Sequence, residues 1–155
     1  MENVSDKDID KAIESCACFH FRRTARALTS IYDKALAPAG VRSGQFVLLL
    51  VIRHTKSITR NELADAVGLD QSALSRGLQA MERQKWIKSE TGKDRRTRLV
   101  SLTANGIKKI EEGYPMWEAA QKQVKKSWGA KKFKEILAEV DECHERLVPT
   151  LENLG

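Results

Sequence analysis

Five polar side chains, Gln71, Ser72, Ser75, Arg76 and Gln79, recur at helical spacing opposite an apolar stripe of Leu74, Leu78 and Met81. Their chemistry suits reading a polar edge. Gln and Arg each form paired hydrogen bonds to base edges, Ser is small enough to let a helix approach phosphate, and amides near a helix N-terminus aim donors at a backbone. Water solvates such a face equally well, so this pattern alone does not decide. The next segment does. Between Arg83 and Arg98 stand seven basic residues (Arg83, Lys85, Lys88, Lys93, Arg95, Arg96, Arg98) against Glu90 and Asp94, which places five of the six net positive charges there. Like charges crowded on one exposed tip repel each other unless a polyanion is present, so the segment points to a phosphate backbone.

A second set of reactive types lies near the start. Cys16, Cys18 and His20 have a spacing that invites a metal ion, but on one helix residue 18 points about 200° away from residue 16, at roughly 100° per residue. The three cannot then meet one ion, and neither a metal nor a cofactor is expected. Three cysteines, an odd number, argue for free thiols over a disulfide framework. A Cys on an apolar stripe is ordinarily a buried structural residue, and reactivity needs a lowered pKa and access. The chain has no nucleophile–base motif, no phosphate-binding glycine loop and no paired carboxylates in a plausible pocket, so an enzyme is not expected.

These residues need elements to position them. Thr59-Arg60-Asn61-Glu62 has the form of a capping box and starts a helix whose Leu63 and Val67 share a face. Gly68 ends it, and Asp70 caps the next helix, which gives two short helices about a glycine-containing turn, a helix-turn-helix. Trp86–Glu90 and Thr97–Leu102 alternate like strands around the turn Thr91-Gly92-Lys93-Asp94, which makes a wing whose tip carries Lys93, Asp94, Arg95, Arg96 and Arg98. Lys56–Ile58 pairs with it as a third strand.

Upstream, Ser5 to Asp8 caps a long helix reaching about Ala37, with Cys18, Phe21, Ala25, Leu28, Tyr32 and Leu36 as one stripe and Arg22, Arg23 and Arg26 solvated. Pro38 and Gly40 end it. Gln45 to His54, whose Phe46–Ile52 core is apolar on every side, is expected as a helix covered all round. Downstream, Thr103 caps a long helix with Pro115 inside it, where a bend is expected, and after Gly129 a last helix runs over about Lys131–Val148.

The expectation is a single domain over 1–155, mainly α with a small β wing: a winged helix-turn-helix core at about 43–102, flanked by long helices at about 5–37 and 103–152. The flanking helices are too long for so small a head and leave apolar faces for a second copy of the chain, making them dimerisation helices. No apolar run approaches the roughly 18 residues a membrane helix needs. The acidic start (Glu2, Asp6, Asp8, Asp10) lacks the order of a signal peptide, so the expected place is the cytoplasm, away from any membrane.

Thr59 to Gly106 resembles the core of the MarR family of bacterial winged-helix regulators. The likeness is carried by Glu62-Leu63-Ala64, Gly68-Leu69-Asp70, Ser72-Ala73-Leu74-Ser75-Arg76, Asp94-Arg95-Arg96 and Leu102-Thr103-Ala104-Asn105-Gly106. It implies that the helix with Ser72, Ser75 and Arg76 enters the major groove of double-stranded DNA, and that Arg96, steadied by Asp94, reaches the minor groove. The family dimerises through its first and last helices, so the resemblance implies a homodimeric repressor on a pseudo-palindromic operator with half-sites roughly 10 bp apart. Its release by a small molecule or a redox signal is implied too. Relatives bind aromatic acids in a crevice beside the dimer helices, where His20, Arg53 and Trp117 are the candidates here. Cys18 resembles the reactive cysteine of the organic-hydroperoxide-sensing branch, which offers a thiol-based repressor as an alternative; Tyr32 matches a supporting tyrosine of that branch, whereas Arg22 and Ser43 replace others. A further alternative is a winged protein-interaction module without DNA, whose signature would be a neutral wing. The chain departs from the family at Gln84-Lys85-Trp86, where relatives usually place a Gly before the first wing strand.

Overall fold

The computed structural model describes residues 4–92 and 97–152. The elements in order are α1 (Asp6–Ser15), α2 (Ala17–Leu36), a 3-10 turn (Ala37–Ala39), α3 (Ser43–Thr55), β1 (Ser57–Thr59), α4 (Arg60–Val67), α5 (Gln71–Arg83), β2 (Ile87–Thr91), β3 (Arg98–Leu102), α6 (Ala104–Trp128) and α7 (Ala130–Glu152). The mainly helical class with a small wing is what the structure has. Two compact units are present, Met1–Trp117 and Glu118–Gly155.

In the first unit the sheet is antiparallel in the order β1-β3-β2, so the strand expected before the helix-turn-helix does join the wing, through Ile58 opposite Val100. The core is built by Phe46, Leu49 and Ile52 of α3, Leu63 of α4, Leu74, Leu78 and Met81 of α5, and Val100 of β3, each fully or almost fully buried. The apolar stripe read from sequence on α5 is therefore its packed face. Helix α3 is helical as expected but not covered all round: Val47 is 44% exposed, because that side faces a surface cavity.

The first long helix is interrupted. Cys16 has extended backbone (φ −76°, ψ 104°) and separates α1 from α2. The His20 ring lies across the break with Nε2 2.9 Å from the Glu14 carbonyl, a group that a helix end would otherwise leave without a partner. The single-helix geometry used to set Cys16, Cys18 and His20 apart does not describe this segment, and the ring nitrogen is engaged with backbone. Ser5 caps α1 as expected, through its bonds with Asp8. The stripe on α2 is covered only toward its C-terminal end: Leu36 is buried and Tyr32 half-buried, whereas Cys18 and Phe21 are exposed.

The turn from α5 into β2 contains no glycine and yet keeps a left-handed residue. Lys85 has φ +56°. Its amide donates to the Glu82 carbonyl at 2.9 Å and the Trp86 amide to the Met81 carbonyl at 3.0 Å, the paired closure of a helix end that glycine usually serves. Helix α6 begins against this turn. The Thr103 hydroxyl donates to the Lys85 carbonyl at 2.5 Å and accepts from the Gly106 amide at 3.2 Å. A Cβ on Gly106 would stand 2.1 Å from the Trp86 carbonyl oxygen.

The second unit begins inside α6. Gly129, with φ +82°, separates α6 from α7, and the Trp128 and Phe133 rings meet at 5.9 Å. On α7, Leu137, Val140 and Leu147 are exposed at spacings of three and seven and so share a face.

Two substitutions test the turn by chemical denaturation. Lys85→Gly should raise stability by about 0.5–1 kcal/mol, because relief of left-handed strain outweighs the entropy that glycine adds to the unfolded chain. Gly106→Ala should lower it by about 1–3 kcal/mol, since the atom it would strike is backbone and cannot rotate away.

Candidate nucleic-acid interface

Two caps set α4 and α5 in place. The Thr59 hydroxyl accepts from the Glu62 amide at 3.2 Å while Glu62 accepts from the Thr59 amide at 3.0 Å, the reciprocal box expected from sequence. Helix α4 ends at Gly68 with φ +64°, and Asp70 caps α5 by accepting from the Ala73 amide at 2.7 Å. Backbone and side-chain hydrogen bonds from Thr59 hold the Glu62 carboxyl below its usual range. The Ser72 hydroxyl, then the Ala73 amide, do the same for Asp70.

The exposed side of α5 carries Gln71, Ser72, Arg76 and Gln79, with Ser75 half-buried at its margin. Neighbours pre-orient three of these. Gln71 Nε2 donates to Asn61 Oδ1 at 3.2 Å, which ties the first turns of α4 and α5 together. The Ser72 hydroxyl donates to Asp70 Oδ1 at 2.6 Å, and Arg76 Nη1 reaches the Ser72 oxygen at 3.4 Å. Asn61 was visible in the sequence only as a member of the capping box, and its role as the partner of Gln71 comes from the packing of α4 on α5.

The wing pairs Thr91 with Arg98 at its outer end, and the Gly92 amide donates to the Thr97 carbonyl at 2.8 Å. Arg98 is exposed there. Lys88 is ion-paired with Glu90 at 2.6 Å, so part of the hairpin's charge is neutralised within one strand. Lys93, Asp94, Arg95 and Arg96, the expected tip, lie outside the described residues.

A cavity of about 340 Å³ opens between α2, α3, the turn of the helix-turn-helix and α6. Its walls are mostly apolar and include Leu28, Tyr32, Val47, Val67, Leu69 and Trp117. Burial pushes the Tyr32 hydroxyl up. Of the three residues considered for a small molecule, Trp117 lines this cavity. His20 and Arg53 do not: His20 faces Glu14 and stands edge-on to Phe19 at 5.5 Å, and Arg53 is on the exposed side of α3. Val67 and Leu69, which the sequence reading did not single out for ligand contact, flank Gly68 and make the turn itself a cavity wall. Cys18 is exposed in a separate open recess with Cys16, Arg22, Arg23 and Arg26.

A model of the MarR family matches residues 39–97. Among curated relatives, the uncharacterized HTH-type transcriptional regulator YwoH of Bacillus subtilis (strain 168) is 28% identical over 90 residues, 58% of this chain and 66% of that protein. The organic hydroperoxide resistance transcriptional regulator of the same organism is 28% identical over 107 residues, 68% of this chain and 71% of that protein. Among solved structures, the transcriptional regulator MosR of M. tuberculosis in complex with DNA matches with a TM-score of 0.76 at 32% identity, over 86% of this chain and 99% of that one. A variant of MarR from E. coli complexed with operator DNA gives 0.74 at 21% identity, over 89% and 98% of the two chains, a likeness of fold alone.

The two caps carry a pH signature. Because Glu62 and Asp70 titrate lower in the folded chain than in the unfolded one, their contribution is complete above the ordinary carboxylate range and is lost as pH falls through it. The thermal midpoint should drop below about pH 4. Asp70→Asn, which still caps a helix, should drop less steeply in that window.

Proposed function

Because this chain belongs to the MarR family, whose matched members are transcriptional regulators and not enzymes, we propose that it is a homodimeric, sequence-specific binder of double-stranded DNA that represses transcription from a pseudo-palindromic operator. One observation carries the reading: a polar face on α5 whose one charge is Arg76, its side chains pre-oriented by Asn61 and Asp70, lies beside a hairpin that by sequence holds five basic residues against two acidic ones. Gln71, Ser72, Ser75, Arg76 and Gln79 read base edges and nearby phosphate. Lys93, Arg95, Arg96 and Arg98 hold the backbone and minor groove, with Asp94 steadying Arg96. That the 32%-identical MosR is found in complex with DNA supports DNA binding.

A dimer is supported by the apolar side chains that each unit leaves in water, Ile9, Ile13 and Phe21 in one and Leu137, Val140 and Leu147 in the other. Two copies would present two α5 helices to half-sites one duplex turn apart. The site of action is the cytoplasm; among the described residues no single helix is long and apolar enough to cross a membrane. The effector is an aromatic small molecule seated in the cavity against Tyr32 and Trp117, where it would press on Val67 and Leu69. A thiol switch at Cys18 is a second reading, favoured by the exposure of that thiol and by the similarity to the hydroperoxide regulator. The charged hairpin and polar α5 face speak against a protein-interaction module without DNA.

Titration of a duplex selected from a random pool tests the proposal. Affinity should fall by roughly a thousandfold or more between about 50 and 200 mM salt, as displaced counterions dictate. Arg76→Ala should blur base preference by about 1–3 kcal/mol at one position, and Arg96→Ala should weaken all sequences alike. A flat salt profile, or parent-like binding by both variants, rejects the assignment.

A further inference from the structure

One side-chain cluster outside the reading face joins three elements that must keep their mutual setting if α5 and the wing are to meet one duplex. Arg60 opens α4, Glu82 lies in the last turn of α5, and Ser89 is the middle residue of β2. The Ser89 hydroxyl donates to Glu82 Oε1 and accepts from Arg60 Nη2 at 3.4 Å. The same Arg60 nitrogen lies 3.6 Å from Glu82 Oε1. Arg60 Nε is buried and has no hydrogen-bond partner among the described residues, so the guanidinium has been drawn under the hairpin at some cost.

The place of Ser89 along its strand gives the cluster its meaning. Alternate strand residues share a face, and on this one Ile87 is buried in the core, Ser89 is half-buried and Thr91 is exposed. Ser89 is thus the last side chain on that face held by the helical head before the hairpin runs out to its cationic tip. Beyond Leu99 the third strand ends and only β2 and β3 remain paired, and a two-stranded end is only marginally ordered by itself. Whatever fixes it in advance saves ordering cost when the tip meets a phosphate backbone.

We infer that Arg60, Glu82 and Ser89 are positioning residues for DNA binding, which set the direction of the wing relative to α5 without themselves reading a base. The inference rests on the DNA-binding function proposed above. Glu82→Gln provides a test in which charge and geometry predict opposite signs. Removing a negative charge near a polyanion should by itself tighten binding. Losing the Arg60 ion pair should instead loosen the wing and weaken binding.

The expected result, with the full chain and a duplex it binds, is a roughly three- to tenfold loss of affinity for Glu82→Gln and for Ser89→Ala. The salt slope should become shallower by about one, the base preference reported by Arg76 should be kept, and the denaturation midpoint should stay near the parent's. Ser89→Thr, which retains the hydroxyl, should bind like the parent. Binding by Glu82→Gln as tight as the parent's or tighter overturns the inference. So does a loss that comes with a fallen denaturation midpoint and an unchanged salt slope, which would make the cluster a fold contact only. A parent that binds no duplex overturns the functional reading itself, an outcome seen before any variant is made.

Discussion

The carbonyl of Trp86 is the point at which the head closes. It accepts from the Thr103 amide at 3.0 Å, and the bare Cα of Gly106 lets α6 pass against it where a methyl group would not fit. On the other side of the same residue, the Trp86 amide completes the end of α5 through Met81. The last turn of the reading helix, the first wing strand and the first turn of α6 are therefore bound to one residue. Lys109 extends the tie by donating to the Ala39 carbonyl at 2.8 Å while lying over the Trp86 ring. Displacing any of these elements breaks hydrogen bonds in a buried place, where unpaired groups are costly.

Charge and hydrogen bonding are divided between neighbouring elements. The α5 face is nearly neutral and held in shape by short-range bonds to Asn61 and Asp70, so its donors and acceptors are arranged before any duplex arrives. The hairpin adds five basic residues against two acidic ones, a charge that acts at longer range and without regard to sequence. Affinity and discrimination can then be tuned by different residues.

Features set by neighbours in sequence were legible, and features set by folding were not. The capping box at Thr59, the left-handed Gly68, the Asp70 cap and the buried stripe on α5 depend on residues within a turn or two of each other, and each is present as read. The break at Cys16 escaped because Glu14-Ser15-Cys16-Ala17 contains neither proline nor glycine, and its stabilising contact is made by the ring of His20. The turn at Lys85 was recognisable as a departure, but only coordinates show that a lysine takes the glycine's conformation. The cavity draws its walls from α2, α3, α6 and the turn, segments whose meeting no periodicity announces, and for that reason Val67 and Leu69 were not legible as its walls.

Leu48 lines the cavity and also reaches the reading helix, with its Cδ1 3.6 Å from where a Cβ on Gly77 would be. Leu48 thus places one layer of hydrocarbon between the cavity and α5. For the effector proposed above, the signal would then need no long relay: the thickness of a single aliphatic side chain would be the whole path from the cavity to α5.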